Sequence, residues 1–158
     1  MKQQLHALLD NPAFAEGEYW RRMNISAGEE IIRQGERGSN SMYLIESGHL
    51  RVLGHVNIDE NRQVTPGVCE LGEGDIVGEL VLFDAGPRSA TVQVVADSVL
   101  IEIDGSKLMT FLEDHVDIGF QLLKSFMTVM VGRTRKSNEK IFSLLVWGLK
   151  AHQIEKEL

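Results

Sequence analysis

The sequence predicts a mainly β fold with flanking helices, on three observations. Between about residues 20 and 103, short apolar runs alternate with glycine-bearing turns, the pattern of closely spaced strands in a compact barrel or roll. In TVQVVADSVLIEI the apolar residues recur with period two, as Val92 and Val94 and then Val99, Ile101 and Ile103. Beyond about residue 114 the spacing changes to the four-three pattern of a long helix. A chain of 158 residues, 43% hydrophobic, suits one domain with an added element.

Residues 2 to about 15 read as a short amphipathic helix, with Leu5, Leu8 and Leu9 at helical spacing and Asn11-Pro12 as its stop. The chain then divides into an N-terminal segment over 1–19, a β region over 20–113 and a helical region over 114–158. EEIIRQGE, SMYLIESG, HLRVLGHV and GVCELGEGD read as strands with their turns. GELVLFDAG is apolar, follows a glycine and is too short for an ordinary helix, so it reads as one helical turn interrupting the sheet. Ser106 is a candidate N-cap for a short helix in SKLMTFLED, and Asp114 for the long one that runs to about residue 150. Along the long helix Phe120, Leu123, Met127, Met130, Thr134, Ser137, Ile141, Leu144, Gly148 and Ala151 form a seam. A seam of that length predicts self-pairing into a homodimer. The alternative is a helix folded back on its own barrel. Thr134 and Ser137 break the seam with polar groups that either fix register or face something polar.

Composition narrows the function. Net charge −7 argues against a general nucleic-acid binder, which needs clustered cations to neutralise phosphates. A single cysteine, Cys69, forms no internal disulfide and fits a reducing, cytoplasmic setting. The N-terminus does not read as a signal peptide, and no run is long and apolar enough to span a bilayer. His6, His49, His55, His115 and His152 are scattered without metal-ligand spacing. There is no serine elbow and no P-loop, and Cys69 lies in a strand-like apolar run, so an enzyme is disfavoured. The acidic pairs Glu29-Glu30 and Asp59-Glu60 sit at turns, and GRTRKSNEK reads as a solvated helix face.

One stretch combines its parts differently: GDIVGELVLFDAGPRSATV, residues 74–92. Gly78 precedes the helical turn, whose free backbone N–H groups favour an anion and whose glycine permits close approach. Pro87 fixes the chain before Arg88, a planar fork suited to phosphate, and Ser89 and Thr91 add hydroxyls. Glu79 repels a phosphate but suits a neighbouring sugar hydroxyl. The implied ligand is a sugar carrying one phosphate charge. The structural alternative is that Arg88 pairs with Glu79 or Asp84 and only ties the loop down.

These residues resemble the phosphate-binding cassette of cyclic nucleotide-binding domains, as found in catabolite activator proteins, cyclic-nucleotide-dependent kinases and gated channels. Gly78, Glu79, Leu80, Pro87, Arg88, Ala90 and Thr91 match its Gly-Glu-Leu and Pro-Arg-small-Ala-Thr pattern. AGEEIIRQGE and MYLIESGHLRVL resemble the early strands, and VLIEIDGSKLMTFLEDH the lead into a long C-terminal helix. The resemblance covers about residues 20–140 and implies an eight-stranded β-roll with flanking helices. It implies that Arg88 holds the cyclic phosphate, aided by backbone N–H groups near Leu80 and Ser89, and that Glu79 binds the ribose 2′-hydroxyl. Val52, Val68 and Leu71 match positions that pack on the nucleotide. RKSNEKI implies Ser137 and Asn138 near the base, and Arg133 is a further candidate for the phosphate.

The expected activity is a cyclic nucleotide sensor for cAMP or cGMP that signals to a downstream protein by rearranging the long helix and a dimer. A ligand-free dimerisation module is the competing reading, and a fragment of a DNA-binding regulator a third. The family's bacterial activators carry a helix-turn-helix domain after the long helix; 158 residues leave no room for one, so direct DNA binding is not expected, and Met1 favours a complete chain.

Overall fold

The computed structural model describes residues 1–54, 56–59, 62–64 and 67–151, with backbone only between 55 and 66. His55, Glu60 and His152, weighed above, lie outside the described residues. Helix α1 spans Lys2–Leu9. Eight strands follow: β1 Trp20–Ile25, β2 Glu30–Ile32, β3 Ser41–Leu53, β4 Val56–Asp59, β5 Arg62–Val64, β6 Gly67–Leu71, β7 Ile76–Val77 and β8 Thr91–Asp104. A single 3-10 turn over Glu79–Leu82 interrupts them, and helices α2, Gly105–Asp114, and α3, Val116–Ala151, close the described chain. The fold is mainly β with a short N-terminal and a long C-terminal helix.

Two long strands organise the roll. β3 and β8 pair antiparallel along most of their length. β8 then takes β1 at its C-terminal half and β2 at its N-terminal half, while β3 takes β7 and β6. β4 and β5 form a separate two-stranded sheet. Both faces of β3 are buried because the sheet has two cores. Met42 and Leu44 face α1, α2 and α3 in a cluster with Leu5, Leu8, Phe14, Ile101, Ile103, Leu108, Phe111, Leu122 and Phe126. Tyr43 and Ile45 face the roll interior with Ile32, Leu50, Leu71, Val77, Val92, Val94 and Leu100. On β8 the same alternation holds: Val92, Val94 and Leu100 face the roll interior, whereas Ile101 and Ile103 face the helical cluster, so consecutive residues are buried where both faces are covered. The β3–β8 register is irregular between Ile45 and Leu50.

Several boundaries differ from the sequence reading. α1 stops at Leu9, and Asn11 Oδ1 accepts a bond from Ala13 N–H, turning the chain before residue 15. Asp104, not Ser106, caps α2, its carboxylate accepting from Lys107 N–H at 3.0 Å. Ser106 instead accepts from the Asn40 side chain. Asp114 is the last residue of α2, and α3 begins at Val116. Of α3 only Leu122 and Phe126 are buried. Phe120, Leu123, Met127, Ile141 and Leu144 of the seam are exposed. The helix nonetheless also touches its own roll: Arg133 donates to Ile76 O, and Lys140 to Val68 O. These two contacts lie on the part of α3 between Arg133 and Lys140.

Candidate functional site

The 3-10 turn begins at Gly78, which sits in the left-handed region at φ 78°. A side chain there has no room: a Cβ would lie 2.9 Å from the Arg88 guanidinium, 3.0 Å from Ile32 Cδ1 and 3.1 Å from Ser41 O. Glycine is required on both counts. Its carbonyl accepts from Arg88 Nη1 at 3.1 Å, while Arg88 Nη2 donates to Ser39 Oγ at 2.8 Å and to Ser41 O at 2.6 Å. The main chain of Arg88 is clamped to the loop after β2, with its N–H on Glu36 O and its carbonyl accepting from Gly35 N–H. Next to it, buried Thr91 Oγ1 accepts from Gln34 N–H at 3.0 Å.

Arg88 is 6% exposed and its Nε–H is buried with no acceptor. Its partners are two carbonyls and one hydroxyl; among the described residues no carboxylate lies within ion-pairing distance of it. Asp84 is used locally, accepting from Gly86 N–H, and Glu79 is paired elsewhere. The pairings that would have made Arg88 a mere loop tie are not formed. Burial pulls its pKa below the ordinary arginine value, against the opposing pull of Tyr43, Glu36 and Glu79. A desolvated guanidinium with an unused donor has the chemistry to hold one anion.

Glu79 is 3% exposed, and Arg133 of α3 reaches it with Nη1 at 2.7 Å from Oε1. The sequence named Arg133 for the phosphate; the fold puts it on the glutamate, 54 positions away. Ser137 lies one turn on from Arg133 and one turn before Lys140, on the face of α3 that meets the roll. Asn138 is rotated about 100° from Ser137, past the seam and away from the roll. Both are exposed, as are Leu80 and Ser89.

Val52 and Leu71 lie on the inner face of the roll, but Val68 does not join them. β3 and β6 pair as Leu50 with Leu71 and Val52 with Cys69, and the register then slips so that Leu53 faces Gly67. Val68 is the extra residue of this bulge and is 44% exposed. Cys69, opposite Val52, shares the face of Leu71 but is itself exposed. Loss of water around its thiol pushes the Cys69 pKa up, ahead of the opposing pull of Arg133 and Lys140. Sequence reading missed Cys69 because only the strand pairing reveals which face it shares.

A profile described as the cyclic nucleotide-binding domain matches residues 22–115. The chain belongs to the cyclic nucleotide-binding domain family. It is 36% identical over 103 residues to a cAMP-dependent protein kinase regulatory subunit of Blastocladiella emersonii, covering 65% of this chain and 24% of that one. It is 26% identical over 118 residues to a CRP-like cAMP-activated global transcriptional regulator of Mycobacterium tuberculosis, covering 75% and 49%. The chain thus spans half or less of these relatives. Among solved structures, the catabolite activator protein of Thermus thermophilus matches at TM-score 0.67 and 22% identity, over 90% of this chain and 59% of that one. A cyclic nucleotide-binding domain from Methylobacillus flagellatus matches at TM-score 0.70 and 20% identity, over 78% and 67%. These two establish the fold. Among the described residues no helix is long and apolar enough to cross a membrane, and no three metal-binding side chains cluster.

Proposed function

We propose that the chain is a cyclic nucleotide sensor, binding cAMP or cGMP without transforming it and passing the signal through α3. The observation that carries this reading is Arg88, a buried guanidinium with an unused N–H and no carboxylate partner. In this reading Arg88, with backbone N–H groups near Leu80 and Ser89, takes the cyclic phosphate. Glu79 accepts the ribose 2′-hydroxyl, and Val52, Leu71 and Cys69 pack on the nucleotide. Ser137 and Asn138 approach the base, Ser137 from the roll-facing edge of the seam and Asn138 from its far edge. cAMP is the first candidate because both curated relatives named above are described by cAMP. The Ser89 hydroxyl beside the arginine keeps cGMP in contention.

The route from pocket to helix is the Glu79–Arg133 pair. A sugar hydroxyl reaching Glu79 meets a carboxylate already held by α3, so ligand and helix share one acceptor. Ligand then shifts α3 between two arrangements to the extent that it binds them differently. The exposed seam residues Phe120, Leu123 and Met127 fit self-pairing as a homodimer, with a downstream protein reading the rearranged helix in a reducing, cytoplasmic setting. Sedimentation velocity is expected to give a dimer, and Leu123→Glu with Met127→Glu a monomer; a wild-type monomer at all concentrations contradicts this part of the reading.

Alkylation tests the pocket itself. With its thiol pKa raised, Cys69 is expected to react slowly with iodoacetamide at neutral pH and faster as pH rises, because the thiolate is the nucleophile. Saturating cAMP or cGMP is expected to slow it at least tenfold further. An unchanged rate with both nucleotides removes Cys69 from the pocket.

A further inference from the structure

The C-terminal stretch of α3 is built unlike the rest of the helix. Lys140 is the last residue with a hydrogen bond or ion pair to the roll among the described residues. The eleven residues from Ile141 to Ala151 carry the helix on for roughly 16 Å. In this stretch Ile141, Phe142, Leu144, Leu145, Val146 and Trp147 are each more than half exposed. At about 100° per residue, Trp147, Leu144, Gly148, Ile141, Leu145, Leu149 and Phe142 sweep an apolar arc of roughly 220°. A two-helix seam is far narrower. A second copy using the seam covers Ile141 and Leu144 and leaves Leu145 and Phe142 on one flank and Trp147 on the other.

Charge separates the same way. Residues 1–115 hold nineteen acidic and nine basic side chains, whereas 116–151 hold two acidic and six basic. Arg135, Lys136 and Lys150 lie on the narrow polar strip opposite the arc, broken by the single acid Glu139 and by Val146. A basic helix whose apolar side is broad and carries Trp and Phe, clear of the acidic roll, matches an anionic surface with an apolar layer beneath it.

We propose that residues 141–151 are a peripheral lipid-binding element that lies in the interface of an anionic bilayer. Trp147 and Phe142 enter the boundary between headgroups and acyl chains, and Arg135, Lys136 and Lys150 meet the lipid charge. The stretch is too short to span, so it lies on the membrane rather than through it. This inference rests on the helix and not on the nucleotide pocket.

The test uses the full chain in a Trp20→Phe background, so that emission reports Trp147. Vesicles of phosphatidylcholine doped with phosphatidylserine are expected to pellet the protein and shift Trp147 emission to the blue. Pure phosphatidylcholine vesicles bind it far more weakly. Lys136→Ala with Lys150→Ala is expected to weaken binding to the doped vesicles about thirtyfold. Phe142→Ser with Trp147→Ser is expected to abolish pelleting while nucleotide titration and melting stay unchanged, since both side chains are exposed. The proposal is overturned if folded protein ignores the doped vesicles, or if both lipid mixtures bind it equally. It is overturned too if Trp147 emission is already blue without lipid and red-shifts on dilution, which assigns the patch to a second copy.

Discussion

Arg88→Ala is expected to cost about 2–5 kcal/mol of nucleotide binding, the range for truncating one partner of a buried charge contact. That is a loss of roughly 30- to several-thousand-fold in affinity. The size follows from the site. The guanidinium is 6% exposed, and its Nε–H has no other acceptor. Nothing nearby replaces it, because Arg133 is committed to Glu79 and Ile76 O. Arg88→Lys is expected to recover only part of the loss: an ammonium keeps the charge and loses the fork. Stability changes little by comparison, since Arg88 holds two carbonyls and a hydroxyl rather than an acid. Titration calorimetry on variants with unchanged melting separates the two effects. An Arg88→Ala protein binding within about threefold of wild type contradicts the assignment of the phosphate to this residue.

The second large effect falls on the fold. Gly48 lies in the irregular part of the β3–β8 register at φ 109°, and a Cβ there would sit 2.0 Å from Ser98 Oγ and 2.7 Å from Ser98 Cα. The serine cannot simply turn away, since its hydroxyl accepts from His49 N–H and donates to Ala96 O, and the nearest backbone atom is itself too close. Gly48→Ala combines backbone strain with overpacking and is expected to destabilise by about 3 kcal/mol or more. For a chain of this size the melting temperature falls by about 6–12 °C. Gly48→Ala with Ser98→Gly removes the side-chain contacts but leaves the backbone one and the strain, and recovers only part of the loss. A single variant melting within about 2 °C of wild type contradicts the described crossing of β3 and β8.

The cassette was readable because its signal is local. Gly78, the turn after it and Arg88 lie within eleven residues, and each has a backbone or charge reason to be its residue type. The turn over Glu79–Leu82 and the long helix after residue 114 were likewise visible as breaks in period. What the sequence could not carry were pairings between distant segments. Arg133 and Glu79 meet only because α3 crosses the roll beside β7. Which residue of β6 lies opposite Val52, Cys69 and not Val68, is likewise set by the pairing with β3. Asp104 displaced Ser106 as the cap for a similar reason. Both are good caps, and the choice was made by Asn40, which holds Ser106 and the Gly105 N–H from another strand's edge. On α3, the seam spacing passed over Leu122 and Phe126, which pack against α1, because both faces of that stretch are apolar.

The measurement that bears most directly on the account is a calorimetric titration of the wild-type chain with cAMP and with cGMP. The account predicts saturable binding of at least one of them, one nucleotide per chain, with the Arg88→Ala protein silent over the same range. Absence of heat from folded wild-type protein with either nucleotide up to about millimolar concentration, at two temperatures so that a vanishing enthalpy is not mistaken for no binding, contradicts it.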